Sequence, residues 1–196
     1  GAEHEKTLRA AHALALVLKK TGQVAKAEQL SRSTYLMRKK TLGEIHRDTL
    51  RSARDHSALL AEMGRANEAA AVLRASYDAQ KKRLGKDHPD TLAAANELAC
   101  RLCKAGRLRD AEALHRATYN TQKKKLGKDH PDTLMSAHDL AVVLLHTLHV
   151  KEAEALLRAC YEARKRTLSE DHPDALTSAN ALGLVLSRTN RPKEAE

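Results

Sequence analysis

Residues 85–92 read Gly-Lys-Asp-His-Pro-Asp-Thr-Leu, and residues 127–134 repeat the same eight letters. Looser copies open at Gly1 (GAEHEKTL), Gly43 (GEIHRDTL) and Ser169 (SEDHPDAL), so a new unit begins every 42 residues. A fixed period of this size marks an array of stacked units, each burying its apolar face against its neighbours. The spacing predicts one array over the whole chain. Its units are residues 1–42, 43–84, 85–126 and 127–168, with a partial fifth over 169–196. Arrays of this kind expose long continuous surfaces, which suits binding better than catalysis.

The composition agrees with a helical array. There is no Phe and no Trp, so an ordinary aromatic core is excluded. Ala and Leu replace it, and both favour closely packed helices over sheets. Lys, Arg or His interrupts every Leu-rich stretch, leaving no apolar run long enough to span a bilayer. The first residues already belong to a repeat rather than to a secretory signal. Three cysteines form no disulfide framework, which points to a reducing compartment and an intracellular, cytoplasmic setting. A formal net charge of +10 favours acidic partners: acidic peptides, nucleic acid or anionic lipid.

Within each unit the apolar residues follow a helical period. Leu8, Leu50, Leu92, Leu134 and Leu176 precede Ala11, Ala53, Ala95, Ala137 and Ala179 by three positions. Leu14, Leu98, Leu140 and Leu182 come next, then Leu18, Leu60, Leu102, Leu144 and Leu186. Steps of three and four trace one face of an α-helix. Asp90-Thr91 and Asp132-Thr133 are the expected caps, with Pro89, Pro131 and Pro173 in the preceding turn. Gly22, Gly64 and Gly106 end this helix. A second helix carries Ala27, Ala69, Ala111 and Ala153, then Leu30, Val72, Leu114 and Leu156.

Two features of the second helix invite a functional reading. Tyr35, Tyr77, Tyr119 and Tyr161 are the only aromatic residues apart from histidine, and all hold one repeat position. They could stack on bases, but wedging between neighbouring Ala-rich helices is the better account. Basic clusters close each second helix: Arg38-Lys39-Lys40, Lys81-Lys82-Arg83, Lys123-Lys124-Lys125 and Arg164-Lys165-Arg166. Cations at a helix C-terminus interact well with its dipole. Their recurrence also outlines a Lys/Arg ridge able to meet nucleic acid or an anionic membrane.

The G-x-D-H-P-D-T-L opening, the Leu-Ala pairs, the turn glycine and the A-E-x-L start of the second helix together resemble the tetratricopeptide repeat. The likeness is to its 42-residue form, found in kinesin light chains and nephrocystin-like proteins, and it covers the whole chain. It implies an all-α fold, a right-handed α-solenoid of antiparallel helix pairs with a concave groove that binds extended peptides. The groove would be lined by Arg9, Arg51, Ala93, Met135 and Thr177, and by His12, Arg54, Asn96, His138 and Asn180. Lys19, with Lys104, His146 and Arg188 at the margin, completes the candidate peptide-binding set. Asn96 and Asn180 match the family's backbone-holding asparagine, whose amide both donates and accepts. His12, Arg54 and His138 depart from it and shift the groove toward positive charge, predicting a preference for acidic segments or C-terminal carboxylates. His56-Ser57 and Leu148 also depart from the pattern, as does Asn190 at a turn-glycine position. The chain's stop at Glu196, within a second helix, leaves that end without a polar cap.

Other constellations are weaker. Cys100 and Cys103 form a C-x-x-C pair, but no second pair completes a metal site. His4, His46, His88, His130 and His172 recur once per unit, too far apart to share an ion, and are expected to tie the turn to the preceding helix. No nucleophile, phosphate loop or carboxylate pair accompanies them, so neither an enzyme nor a cofactor is expected. The leading expectation is a protein-interaction scaffold for extended, acidic peptides. The alternatives are polyanion binding along the ridge and a purely structural spacer.

Overall fold

The computed structural model describes the backbone of residues 2–188 and the side chains of residues 4–187. Asn190, Glu196 and the expected uncapped end lie outside the described residues. Every regular element described is an α-helix. The chain forms two compact units. The first, residues 1–105, holds α1 (Ala2–Lys20), α2 (Val24–Leu42), α3 (Arg47–Glu62), α4 (Ala66–Leu84) and α5 (Pro89–Lys104). The second, residues 106–196, holds α6 (Leu108–Leu126), α7 (Pro131–His146), α8 (Val150–Thr167) and α9 (Pro173–Arg188). In each unit every helix packs on the next, and in the second α7 also meets α9. Short turns make consecutive helices antiparallel. This is the stacked helix-pair arrangement of an α-solenoid.

The H-P-D opening explains how each pair begins. His46, His88 and His130 are themselves the N-caps, each with extended backbone and with Nδ1 accepting from the backbone N–H two residues on. Those contacts to Asp48, Asp90 and Asp132 are each 3.2 Å. His172 Nδ1 makes the same bond to the Asp174 N–H. Two expectations are corrected here: neither Asp nor Thr caps the helix, and the histidine serves the helix it precedes. Thr91 and Thr133 point into the core instead. Proline then fits the first turn of α5 and α7 because no intrahelical partner is needed there.

The helices α1, α3, α5 and α7 each end in a left-handed residue. Gly22 (φ 77°) and Gly64 (φ 76°) let the next N–H reach back, Gln23 to the Leu18 carbonyl and Arg65 to the Leu60 carbonyl, each at 2.9 Å. Leu148 makes the same turn at φ 65° without being glycine. That geometry crowds its Cβ.

The Leu/Ala stripe is the core, as expected. Ala53, Leu60, Leu98, Leu102, Leu140 and Leu144 are essentially sealed from solvent. Leu14 of α1 and Leu176 of α9 are exceptions, about half exposed, on the first and last of the described helices. The second helices bury Ala27, Ala69, Ala111 and Ala153 completely, but Leu30, Val72, Leu114 and Leu156 only in part. The deeper position is the next residue: Ser31, Leu73, His115 and Leu157. His56 takes a core place, its ring stacked 6.3 Å from that of Tyr35. Its Nδ1 has no hydrogen-bond partner, so burial holds the ring neutral and lowers its pKa. Ser57 is satisfied by donating to the Ala69 carbonyl.

Candidate peptide-binding face

Once the stripe is buried, the opposite side of each first helix is left open. In the first unit it presents Arg9 on α1, Arg51 and Arg54 on α3, and Ala93 and Cys100 on α5, all exposed. Asn96 is half-buried on the same side of α5, and Lys104 is exposed at its end. In the second unit the face carries Met135, Val142 and His146 on α7, with half-buried His138, and Asn180 and Leu184 on α9. The Arg188 side chain lies outside the described residues. The candidate set thus falls into two groups, each gathered on one face of its own unit.

A column missed by sequence reading changes the electrostatics. Asp55, Glu97 and Asp139 stand one position after Arg54, Asn96 and His138. His12 Nε2 lies 3.2 Å from Asp55 Oδ2, Lys19 Nζ 2.6 Å from Glu62 Oε1, and Arg54 Nε 3.9 Å from Glu97 Oε2. Each contact joins one first helix to the next, α1 to α3 or α3 to α5. Three of the side chains expected to meet a ligand, His12, Lys19 and Arg54, therefore already face carboxylates, and His12 is buried. The signal was legible: 12 and 55, 19 and 62, and 54 and 97 are all separated by one repeat plus one residue.

The carboxylates differ in how well they are compensated. The hydrogen bond from His12 holds Asp55 below the usual carboxylate range, against the opposing effect of burial. Burial pushes Glu97 above its ordinary value, and Arg54 offsets this only in part. Asp139 is raised by burial as well. Burial lowers the pKa of His138, whose Nδ1 has no hydrogen-bond partner. Arg9 pairs along its own helix with Glu5 at 2.6 Å.

The Lys/Arg ridge is thinner than the sequence suggests. Arg38 and Arg164 are buried, not displayed. Arg38 donates to Ser52 Oγ (2.6 Å) and to the carbonyls of Asp48 (3.2 Å) and Leu8 (3.3 Å). Arg164 donates to Ser178 Oγ (2.7 Å) and the Asp174 carbonyl (3.0 Å). Lys81, Lys123 and Lys165 lie 5.6–5.8 Å from the centres of the Tyr77, Tyr119 and Tyr161 rings. Those tyrosines are half-buried, and Tyr119 packs against the core, which fits the wedge reading. Lys39, Lys165 and Arg166 are further engaged by Glu44, Glu170 and Asp129.

Cys100, Cys103 and Cys160 take part in no disulfide, and burial drives the Cys160 thiol up to about 11. Among the described residues no group of three or more His, Cys, Asp or Glu could hold a metal ion. No helix of the described residues is long and apolar enough to cross a membrane.

The model of a family described as tetratricopeptide repeat matches residues 7–48, 49–90 and 91–132, and a second model of that description matches 150–196. The chain belongs to the tetratricopeptide repeat family. Its repeats are kinesin light chain-like. A kinesin light chain candidate from Podosopora anserina, built of nearly identical TPR-like repeats, is 30% identical with a TM-score of 0.82. That match covers 98% of this chain and 91% of the other. BtubC (BKLC) from P. vanneervenii shares the fold at 17% identity and a TM-score of 0.75, covering 99% and 84% of the two chains. The Rap conjugation gene regulator of plasmid pLS20, solved in complex with the Phr* peptide, shares it at 16% identity and a TM-score of 0.62. There the match covers 92% of this chain and 48% of the other. A comparison with curated proteins finds no match.

Proposed function

We propose that this chain is an intracellular protein-interaction scaffold that holds an extended, predominantly acidic peptide segment across the open face of its first helices. The observation that carries the reading is the split of those helices into a sealed Leu/Ala face and an opposite face bearing Arg51, Arg54, Asn96 and Lys104. Rows of helices packed side by side keep such a face rigid without a ligand, which lowers the ordering cost of binding. Arg51 and Lys104 supply the attraction for carboxylates, while the pairs made by His12, Lys19 and Arg54 fix the spacing of neighbouring helices. Asn96 is suited to hold peptide backbone, since its amide offers both donor and acceptor.

Fluorescence anisotropy tests this with a labelled peptide alternating Glu and Ala, its Lys/Ala counterpart, and a single-stranded oligonucleotide. The Glu/Ala peptide is expected to bind more tightly than the Lys/Ala one and to weaken with Arg51→Glu and Lys104→Glu. Equal binding of both peptides, or indifference to both substitutions, overturns the proposal. Oligonucleotide binding that falls steeply with salt and is lost in Lys82→Glu/Lys124→Glu would assign the work to the ridge instead.

A further inference from the structure

One gap between helix pairs is empty where two of its equivalents hold an arginine and the third holds Gln122, which accepts a hydrogen bond from Ser136. In the gap between α1 and α3, Arg38 rises from α2 and is held by Ser52 and two backbone carbonyls. Asp48 and Asp55 lend it electrostatic support against burial, the dominant effect on its pKa. Arg164 does the same from α8, bonding to Ser178 and the Asp174 carbonyl of α9. At the equivalent place between α3 and α5, Gln80 replaces the arginine and Ala94 replaces the serine. Gln80 turns back along its own helix to the Ser76 carbonyl, 3.3 Å away. A cavity of about 460 Å³ remains, with Gln80 and Ala94 in its lining. Asp90 and Glu97, the counterparts of Asp48 and Asp55, also line it.

The counterparts of both carboxylates that support Arg38 are therefore kept, with Arg47 and Arg54 also in the lining, while an amide stands in place of the guanidinium. Glu97 is the more exacting of the two carboxylates. Its compensation by Arg54 at 3.9 Å is loose, and burial favours its protonated form. A planar cation arriving beside it would stabilise the carboxylate and gain paired hydrogen bonds. The cavity reaches the open face, since exposed Ala93 and Arg54 help line it.

We propose that this gap is a specificity pocket for the arginine side chain of a partner protein, seated where Arg38 and Arg164 sit in the equivalent gaps. The pocket rests on the reading of this face as peptide-binding. It adds one anchor of stated chemistry to a segment otherwise recognised by its acidity.

The test follows the Ala93 and Ala94 methyl resonances of the full chain during titration with acetyl-Gly-Arg-Gly-amide. The probe for comparison is the citrulline tripeptide, of the same shape but uncharged. Saturable shifts are expected with arginine, with citrulline about tenfold weaker, a difference of about 1.4 kcal/mol. Glu97→Gln should remove that preference. Gln80→Arg, which fills the gap from within, should abolish the arginine response, and its circular dichroism reports whether the helices persist. Equal responses to both tripeptides, or an unchanged arginine response in Gln80→Arg with native helicity, overturns the pocket. Binding of the Glu/Ala peptide by Gln80→Arg separates the two ideas. If the native chain binds that peptide as well but does not discriminate between the tripeptides, the pocket falls and the open-face reading stands.

Discussion

Ser52→Ala is expected to destabilise the first unit more than removal of the arginine that Ser52 serves. Arg38 is buried, and its shortest bond is the 2.6 Å contact to Ser52 Oγ; those to Asp48 and Leu8 are 3.2 and 3.3 Å. Deleting the hydroxyl leaves a buried guanidinium one acceptor short, which costs about 1–3 kcal/mol. Arg38→Met deletes the charge along with its bonds and keeps most of the apolar stem. The relief from desolvation then offsets the lost bonds, for a net cost of roughly 1 kcal/mol or less. Ser52→Ala in the Arg38→Met background should cost almost nothing, giving a coupling of about 1–3 kcal/mol. In urea unfolding followed by circular dichroism, Ser52→Ala should lower the midpoint by about 1 M, given a slope near 2 kcal/mol/M. If Ser52→Ala lowers the midpoint equally in both backgrounds, the guanidinium does not depend on that hydroxyl, and the comparison between filled and empty gaps loses its basis.

Two further outcomes probe the fold itself. Leu148→Gly should raise stability by roughly 0.5–1 kcal/mol because it relieves a left-handed leucine, while Leu148→Ala should gain nothing. The residue is 83% exposed, so little packing is lost, and thermal unfolding of the pair of variants decides the matter. Acid stability should depend on His115, which burial pushes down to about 4. Its neutral form is favoured by folding, so its contribution is complete above the unfolded value near ~6.5 and declines as pH falls toward about 4, by roughly 3 kcal/mol in all. His56 and His138 change stability in the same direction, Glu97 and Asp139 in the opposite one. His115→Leu should therefore flatten, without abolishing, the fall in urea midpoint between neutral and acid pH. An unchanged profile refutes it.

The repeat alone determined the helix pairs, the Leu/Ala core and the choice of open face, because each follows from local periodicity and from residues with strong turn preferences. Gly22 and Gly64 stop helices for reasons internal to a few residues, and Pro89, Pro131 and Pro173 open α5, α7 and α9 for reasons equally local. Even the N-cap was locally encoded, although by histidine rather than by the usual oxygen acceptors. A ring nitrogen at that position accepts the same backbone N–H that Asp or Ser would.

Tertiary structure decided what the charges do. Arg38 and Lys39 are neighbours in sequence, yet one is sealed between helices and the other faces Glu44, because adjacent positions on a helix point about a hundred degrees apart. His12 and Arg54 look like free groove cations until α1, α3 and α5 lie side by side and bring Asp55 and Glu97 beside them. The empty gap over Gln80 is likewise invisible in any single repeat, since a cavity exists only where two helices fail to fill the space between them. Periodicity specifies which residues share a face. Only packing specifies which partner each one meets.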